Sequence, residues 1–567
     1  MIPLRTRPVL AAAALAAALG ACAPGAGLPR MPAPETLPEG SPLASQTLSP
    51  WDAWLRHYVM AGAPDSAVAL LQGRAGPRDE LVRRLQLAVV LHEAGRYRES
   101  NAALDWAEAE AERRYTRSVS QAAGAVLVND ASIAYVPPPA ERAMVPYYRM
   151  LNDLALGEAE SAAVEGRRAG AYFTQLQDGD GRQPCVGEGL VEYLAGISFS
   201  RAGAQGDALV SLRRAEAAFD GCPGATAPAD LGARLYAAAR RTGVADVADS
   251  AARRYGVADA PADSGTGEVV VLVQHGWVAH RSNADIHVPI FPDQANGISN
   301  GDPAALADLL LHAAANLTEQ AQWGDAWEEH PVQQVSDAID GAYIMKLAWP
   351  VYRLESCSAP GVRVVVGADT VAAPVAGDLS SAVLDRWERT RSAALARMMV
   401  RGTAKYLATR AIERKAEKEG GEDMGWLAGR LANFAGNRLE RADTRSWSLL
   451  PDRVSVARVS LPAGEHNVRI QVMGADGETQ WVDVGPVTVR EGETSVVTRR
   501  VWGAEMGDLA ARSPEMRQLR ARREAAPADT LPAIDGPPVA DASTVAAASE
   551  STASMEAGPK AKSSATP

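Results

Sequence analysis

Between Trp51 and about Tyr255 the chain keeps returning to one arrangement: an apolar run at helical spacing, a glycine, and a second run in which small residues recur every three or four positions. The first copy reads Leu91-His92-Glu93-Ala94-Gly95-Arg96-Tyr97, followed by Ser100, Leu104 and Ala107. Apolar residues at this period make one face of a helix. Glycine reaches the left-handed conformation that ends a helix and starts a turn. Each unit is therefore a helical hairpin with one apolar face that it cannot bury alone, so at least three such units must stack.

Further copies are Leu154-Ala155-Leu156-Gly157 with Ala162 and Ala169, Ser200-Arg201-Ala202-Gly203 with Ala208, Leu212 and Ala215, and a weaker one at Gly243 with Ala248. The first block resembles the centre of a tetratricopeptide repeat, in which Tyr97 would pack over the Gly95 turn and small residues would let the helices approach. The turn glycines Gly95, Gly157, Gly203 and Gly243 are unevenly spaced, so the array is degenerate and carries insertions. The expectation is a tetratricopeptide-like α-solenoid over residues 48–258.

Near Gly267 the period changes. Glu268–Gln274 is β-branched and almost wholly apolar, as a buried strand requires. Ile344–Leu354 and Val362–Val375 read as strands carrying a proline, which points to an edge or a bend. Val454–Leu461, Asn467–Met473 and Thr494–Val501 also read as strands. An amphipathic stripe from Leu384 and Trp387 through Met398, Met399 and Tyr406 to Ile412, broken at Gly420-Gly421, predicts a helical insertion at about 380–441. Pro462-Ala463-Gly464-Glu465 reads as a tight turn feeding a strand, as in PEGA-like surface β-domains, with His466 at the strand edge. Residues 265–510 are thus expected to be α+β, with a sandwich-like element. A chain that is 47% hydrophobic and 22% charged folds, and the whole is expected to be a multidomain α+β protein. Residues 511–567, rich in Ala, Pro, Ser and Thr, read as a disordered tail.

Val9–Gly20 is a short apolar run behind Arg5 and Arg7, well below the roughly 20 residues of a membrane-spanning helix. It ends in Leu19-Gly20-Ala21-Cys22, which resembles a bacterial lipobox. Residues 1–21 would then be the signal peptide, Cys22 the lipidated first residue of the mature chain, and the proline-rich residues 22–47 a tether. Two or more acyl chains give stable anchoring where one does not. Ala23 and Pro24, where an Asp would mark inner-membrane retention, imply the periplasmic face of the outer membrane. A net charge of −12 argues against a nucleic-acid partner. Of the four cysteines, Cys185 and Cys222 lie in turn-like sequence and form a possible disulfide, leaving Cys357 over.

Two further blocks resemble parts of a family of proteobacterial lipoproteins with tetratricopeptide-like front halves. One comprises Asn129-Asp130, Tyr135, Pro137, Glu141-Arg142, Tyr147 to Asn152, Leu154, Gly157 and Val164 to Ala169. The other comprises Arg445-Ser446-Trp447, Leu450-Pro451, Ala457-Arg458 and Leu461 to His466. The chain departs from the family pattern at the three consecutive prolines Pro137–Pro139 and at Gly166. The resemblance implies no activity. Members occur beside activators of penicillin-binding proteins, which implies a setting in the cell envelope.

Chemistry-bearing residues are few. His275, His280 and His287 cluster in sequence, but their spacing matches no zinc pattern, and surface-loop positions are expected. Trp277, Trp323 and Trp327 offer faces for a sugar ring; for the last two, spaced one helical turn apart, a core role is the simpler reading. Glu141-Arg142 and Glu165/Arg168 read as structural ion pairs. No phosphate-binding glycine loop or nucleophile elbow occurs. The expectation is a non-enzymatic, lipid-anchored periplasmic scaffold, without cofactor or metal, that binds an envelope protein or peptide. The alternative is a peptidoglycan- or glycan-binding module in the rear half.

Overall fold

The computed structural model describes residues 48–73, 78–121, 134–180, 185–222, 224–258, 265–290, 343–354, 361–421, 423–425, 427–429, 442–474 and 479–501. Cys22, the signal and tether segments, Trp323, Trp327, Cys357 and the tail all lie outside them. The described residues belong to one compact unit that extends to Arg520. The architecture is α+β, with helices in the N-terminal half and sheets in the C-terminal part. Among the described residues, no helix is long and apolar enough to cross a membrane.

The helices come in pairs: α1 (Pro50–Met60) and α2 (Pro64–Gly73), α3 (Glu80–Glu93) and α4 (Tyr97–Gln121), α5 (Pro139–Leu156) and α6 (Ala159–Asp180), α7 (Glu188–Arg201) and α8 (Gln205–Gly221), α9 (Leu231–Thr242) and α10 (Ala245–Tyr255). Each helix packs on the next in sequence. Gly95, Gly157, Gly203 and Gly243 each hold a positive φ, between 73° and 79°, in the turns of the last four pairs. Gly62, with φ 63°, turns the first pair, which the sequence reading did not resolve. Tyr97 opens α4 with its ring 5.6 Å from that of His92. Close approach is built in with small residues: a Cβ on Gly196 of α7 would stand 2.6 Å from Leu212 of α8.

Strands β1 (Thr266–His275), β2 (His280–Ile290), β3 (Tyr343–Arg353), β4 (Gly361–Val366), β5 (Asp369–Ala372) and β6 (Val375–Asp378) precede a long helix, α11 (Leu379–Gly420). Strands β7 (Arg453–Pro462), β8 (Gly464–Met473), β9 (Thr479–Val489) and β10 (Thr494–Val501) follow it. One sheet has the order β10-β1-β7-β6, a second β5-β4-β8-β9, and β2 pairs with β3. β1 runs parallel to β10 and antiparallel to β7. One apolar cluster draws on both four-stranded sheets, with Val269, Val271 and Val273 of β1 meeting Val364 of β4 and Val468, Ile470 and Val472 of β8. The alternate residues Val270, Leu272 and Gln274 are equally buried. Two covered faces explain why β1 reads as an unbroken apolar run.

Three local expectations are corrected. Val362–Val375 is not one strand: Gly367, at φ 59°, turns β4 back into β5, and the chain then enters the other sheet as β6. The turn expected at Pro462-Ala463-Gly464-Glu465 is shorter than its four residues: β8 already begins at Gly464, at φ 149°, and the segment is a corner that carries the chain from β7 in one sheet to β8 in the other. His466 lies in β8, with Nε2 2.8 Å from the Pro462 carbonyl. The third concerns the stripe on α11, where Met398, Met399 and Tyr406 are buried but Leu407 and Ile412 are exposed. α11 starts at an Asp378 cap, whose carboxylate accepts the Ser381 N–H at 2.8 Å.

Candidate functional site

Helix α5 begins with Pro139, whose fixed φ suits a first helical turn, and its inward face carries Tyr147, Tyr148 and Asn152, all buried. The Tyr148 hydroxyl donates to Gln274 Oε1 of β1 at 3.3 Å. Asn152 Oδ1 lies 2.6 Å from His92 Nδ1, and His92 Nε2 lies 3.2 Å from the Thr498 hydroxyl of β10. Burial pushes the His92 pKa down, so the ring is a neutral link between helices and sheet.

The segment preceding β7 closes this junction. Arg56 of α1, fully buried, donates to the Ser448 carbonyl at 3.0 Å. Gln86 of α3 donates to Ser448 Oγ at 2.8 Å and accepts the Leu449 N–H at 3.1 Å. Arg500 donates to the carbonyls of Gly276, Leu449 and Leu450. The Trp277 ring takes both guanidiniums, Arg500 at 4.6 Å and Arg56 at 5.2 Å. Trp277 is wholly buried, so it presents no face to a sugar.

The two sequence blocks that carry the family resemblance meet here. Trp447 packs on Tyr148 at 6.0 Å, and the Arg445 guanidinium lies over the Tyr135 ring at 5.9 Å. Glu141 accepts from the Tyr135 hydroxyl and from the Trp447 backbone N–H. Burial lifts its pKa to about 7, against the opposing pull of Arg281 and these hydrogen bonds. Glu141 is therefore not paired with Arg142, which reaches Glu112 at 2.6 Å. Glu165 does pair with Arg168, at 3.2 Å, and shares Arg149 at the same distance.

The histidines read as surface-loop residues are strand residues. His275 and His280 are buried, at the end of β1 and the start of β2, and the loop joining these strands is only four residues long, with the Val278 N–H donating to the Leu450 carbonyl at 2.9 Å. His275 Nε2 lies 2.9 Å from the Ser455 hydroxyl. His287 stands opposite Lys346 in the β2–β3 register. Among the described residues, no group of three His, Cys, Asp or Glu side chains is placed to hold a metal ion. Cys185 and Cys222 are joined in a disulfide, Cα to Cα 5.5 Å, which ties the end of α8 to the entry of α7.

Outside the junction lies a run of three adjoining cavities, one among α4, α5 and α6 and two between these elements and α11. The largest, about 700 Å³, is lined by Tyr115, Val136 to Pro139, Tyr172, Val186 and residues of α11 from Ala382 to Thr390. A second, about 560 Å³, shares Pro137, Arg142, Tyr172 and Gln175 with it, and runs along α4. A third, about 350 Å³, shares Pro138, Pro139, Arg386 and Thr390, and reaches Tyr352 and Trp387. The three consecutive prolines that depart from the family pattern are the rib between these spaces. The sequence reading singled out the prolines but not the cleft. It depends on α11 returning to a helix far earlier in the chain.

No family model matches this chain, and no curated protein matches it closely. Among solved structures, the crystal structure of BtubC (BKLC) from P. vanneervenii is 18% identical, covering 37% of this chain and 82% of that one, with a TM-score of 0.26. That likeness is too low to bear on fold or function.

Proposed function

We propose that this protein is a lipid-anchored scaffold of the cell envelope, held at the periplasmic face of the outer membrane through Cys22, which docks a protein or peptide partner. In this reading the paired helices form an α-solenoid of tetratricopeptide-like hairpins, and the two four-stranded sheets with their common core form a sandwich. The chain resembles a lipobox protein at Leu19-Gly20-Ala21-Cys22, and the positive-φ glycine turns support stacked hairpins.

The observation that carries the docking role is the cleft along α4, α5, α6 and α11, where adjoining cavities leave aromatic and charged side chains open to a partner. A photo-crosslinking residue in place of Gln175, which lines the cleft, should capture a defined partner in intact cells. The same residue in place of Val210, exposed on α8, should not. Equal capture at both positions contradicts the reading. Cys22→Ala should release the protein from membranes; retention contradicts the anchor.

A further inference from the structure

Among the described residues, half of the exposed large apolar side chains fall within residues 400–427: Val400, Leu407 and Ile412 on α11, and Met424 and Leu427 just after it. Exposed apolar side chains gathered in one stretch mark a contact surface. Gly421, at φ 89°, ends α11, and the return that follows packs closely on it: a Cβ on Gly425 would stand 2.8 Å from Glu417 Cβ, and one on Gly429 3.1 Å from Glu413 Cδ. The return covers the side of α11 that carries Glu413 and Glu417. Another side stays open. Val400, Ala404, Leu407, Ala411, Arg414 and Lys418 follow one another at alternating intervals of four and three, which makes one stripe along the helix, and each is exposed or half-exposed. The stripe is apolar from Val400 to Ala411 and basic at Arg414 and Lys418, with Lys415 beside them, and it contains no Asp or Glu. Glu413 is taken by Arg410 at 2.8 Å, and among the described residues no carboxylate pairs with Arg414, Lys415 or Lys418.

We infer that this stripe of α11 lies on an anionic phospholipid surface, with Val400, Leu407 and the alanines at the acyl boundary and Arg414, Lys415 and Lys418 at the headgroup phosphates. A helix with an apolar face and a basic polar edge sits in a bilayer interface in this way. Long basic side chains cover apolar surface with their stems and keep the charge among the headgroups. A second copy of the chain is the poorer occupant. Two stripes paired in parallel set Arg414 and Lys418 against their own copies, and two paired antiparallel set them against Ala404 and Val400, so neither arrangement supplies a carboxylate. The inference goes beyond the proposed anchor: acyl chains at Cys22 hold one end of the chain, and α11 lays the body on the same surface. The α11 contact alone is reversible and weakened by salt, so a chain without acyl groups still leaves membranes in a salt wash.

The test uses the mature chain, residues 22–567, carrying Cys22→Ala and hence no acyl group, and vesicles of phosphatidylglycerol in phosphatidylcholine, read by co-sedimentation. A chain of net charge −12 is repelled as a whole by such vesicles, so binding reports the local cations. It should saturate, weaken with added salt and be about a hundredfold weaker on vesicles of phosphatidylcholine alone, as three cations near an anionic surface imply. The triple variant Arg414→Gln/Lys415→Gln/Lys418→Gln should lose this preference, and Leu407→Gln should weaken binding about tenfold, both with unchanged circular dichroism and thermal unfolding. Val210→Gln, at an exposed valine of α8, should bind as the parent does. Absence of binding to the anionic vesicles, equal binding to neutral ones, or an equal loss in Val210→Gln overturns the inference. Leu407-dependent self-association in sedimentation velocity without vesicle binding also overturns it and assigns the stripe to a second copy. Because the assay dispenses with Cys22, each of these failures leaves the anchor standing.

Discussion

The ring of Trp447 lies 6.0 Å from the ring of Tyr148 and tilted 39° to it, which joins the segment before β7 to the buried face of α5. Both rings are fully buried, so the contact fixes how helices and sheets meet. Trp447→Ala should cost about 3–5 kcal/mol, and a double-mutant cycle with Tyr148→Ala should give a coupling of about 0.5–1.5 kcal/mol. Denaturant unfolding of the four chains measures both. Additive losses would mean that the two rings are buried independently.

The disulfide closes a loop of sequence separation 37. In the chain-entropy description, such a loop is worth about 4 kcal/mol. Thermal unfolding with and without a reductant should show a clear loss of stability on reduction, and the Cys185→Ser/Cys222→Ser double variant should be insensitive to reductant.

Burial, reinforced by Arg453 and Arg500, lowers the His275 pKa to about 4, against about 6.5 in an unfolded chain. Between these values the unfolded chain binds more protons, so this residue's contribution to stability is present above pH 6.5 and lost as pH falls toward 4. The stability advantage of the native chain over His275→Gln should shrink by about 3 kcal/mol between pH 8 and pH 4. Urea titrations at the two pH values read the difference, in which groups common to both chains cancel. A constant difference contradicts a neutral buried imidazole.

Gly95 turns from α3 to α4 at φ 73° with open space where a Cβ would point. Gly95→Ala should therefore cost about 1–2 kcal/mol through backbone strain alone, with no change in helix content by circular dichroism. A cost near zero would mean that the turn relaxes out of the left-handed region.

The parts of the fold that sequence made visible are those where one residue type has one backbone solution. Gly95, Gly157, Gly203 and Gly243 announced helix turns because a left-handed step excludes most other residues, and β1 announced itself because both of its faces are covered. β9 was not read: its mostly half-exposed or open residues, from Gln480 to Val487, mix polar and apolar types without a clean alternation. β2, with Arg281, Asn283 and Asp285, has the composition of a loop and becomes a strand by pairing with β3. The proline rib was legible as a local departure. The cleft was not, because its walls come from α4, α5, α6 and α11, whose proximity no local pattern encodes. Glu141 likewise looked like a partner of Arg142, and only the path of the preceding segment brings Tyr135 to it.

Oxidative footprinting of two aromatic side chains tests occupancy of the cleft most directly. Tyr115, at the cleft, and Trp481, on β9, are 47% and 49% exposed, so hydroxyl radicals should modify both in the purified chain. In intact envelopes, Tyr115 should be protected and Trp481 should react as before. Equal modification of Tyr115 in envelopes and in the purified chain would contradict a partner in the cleft.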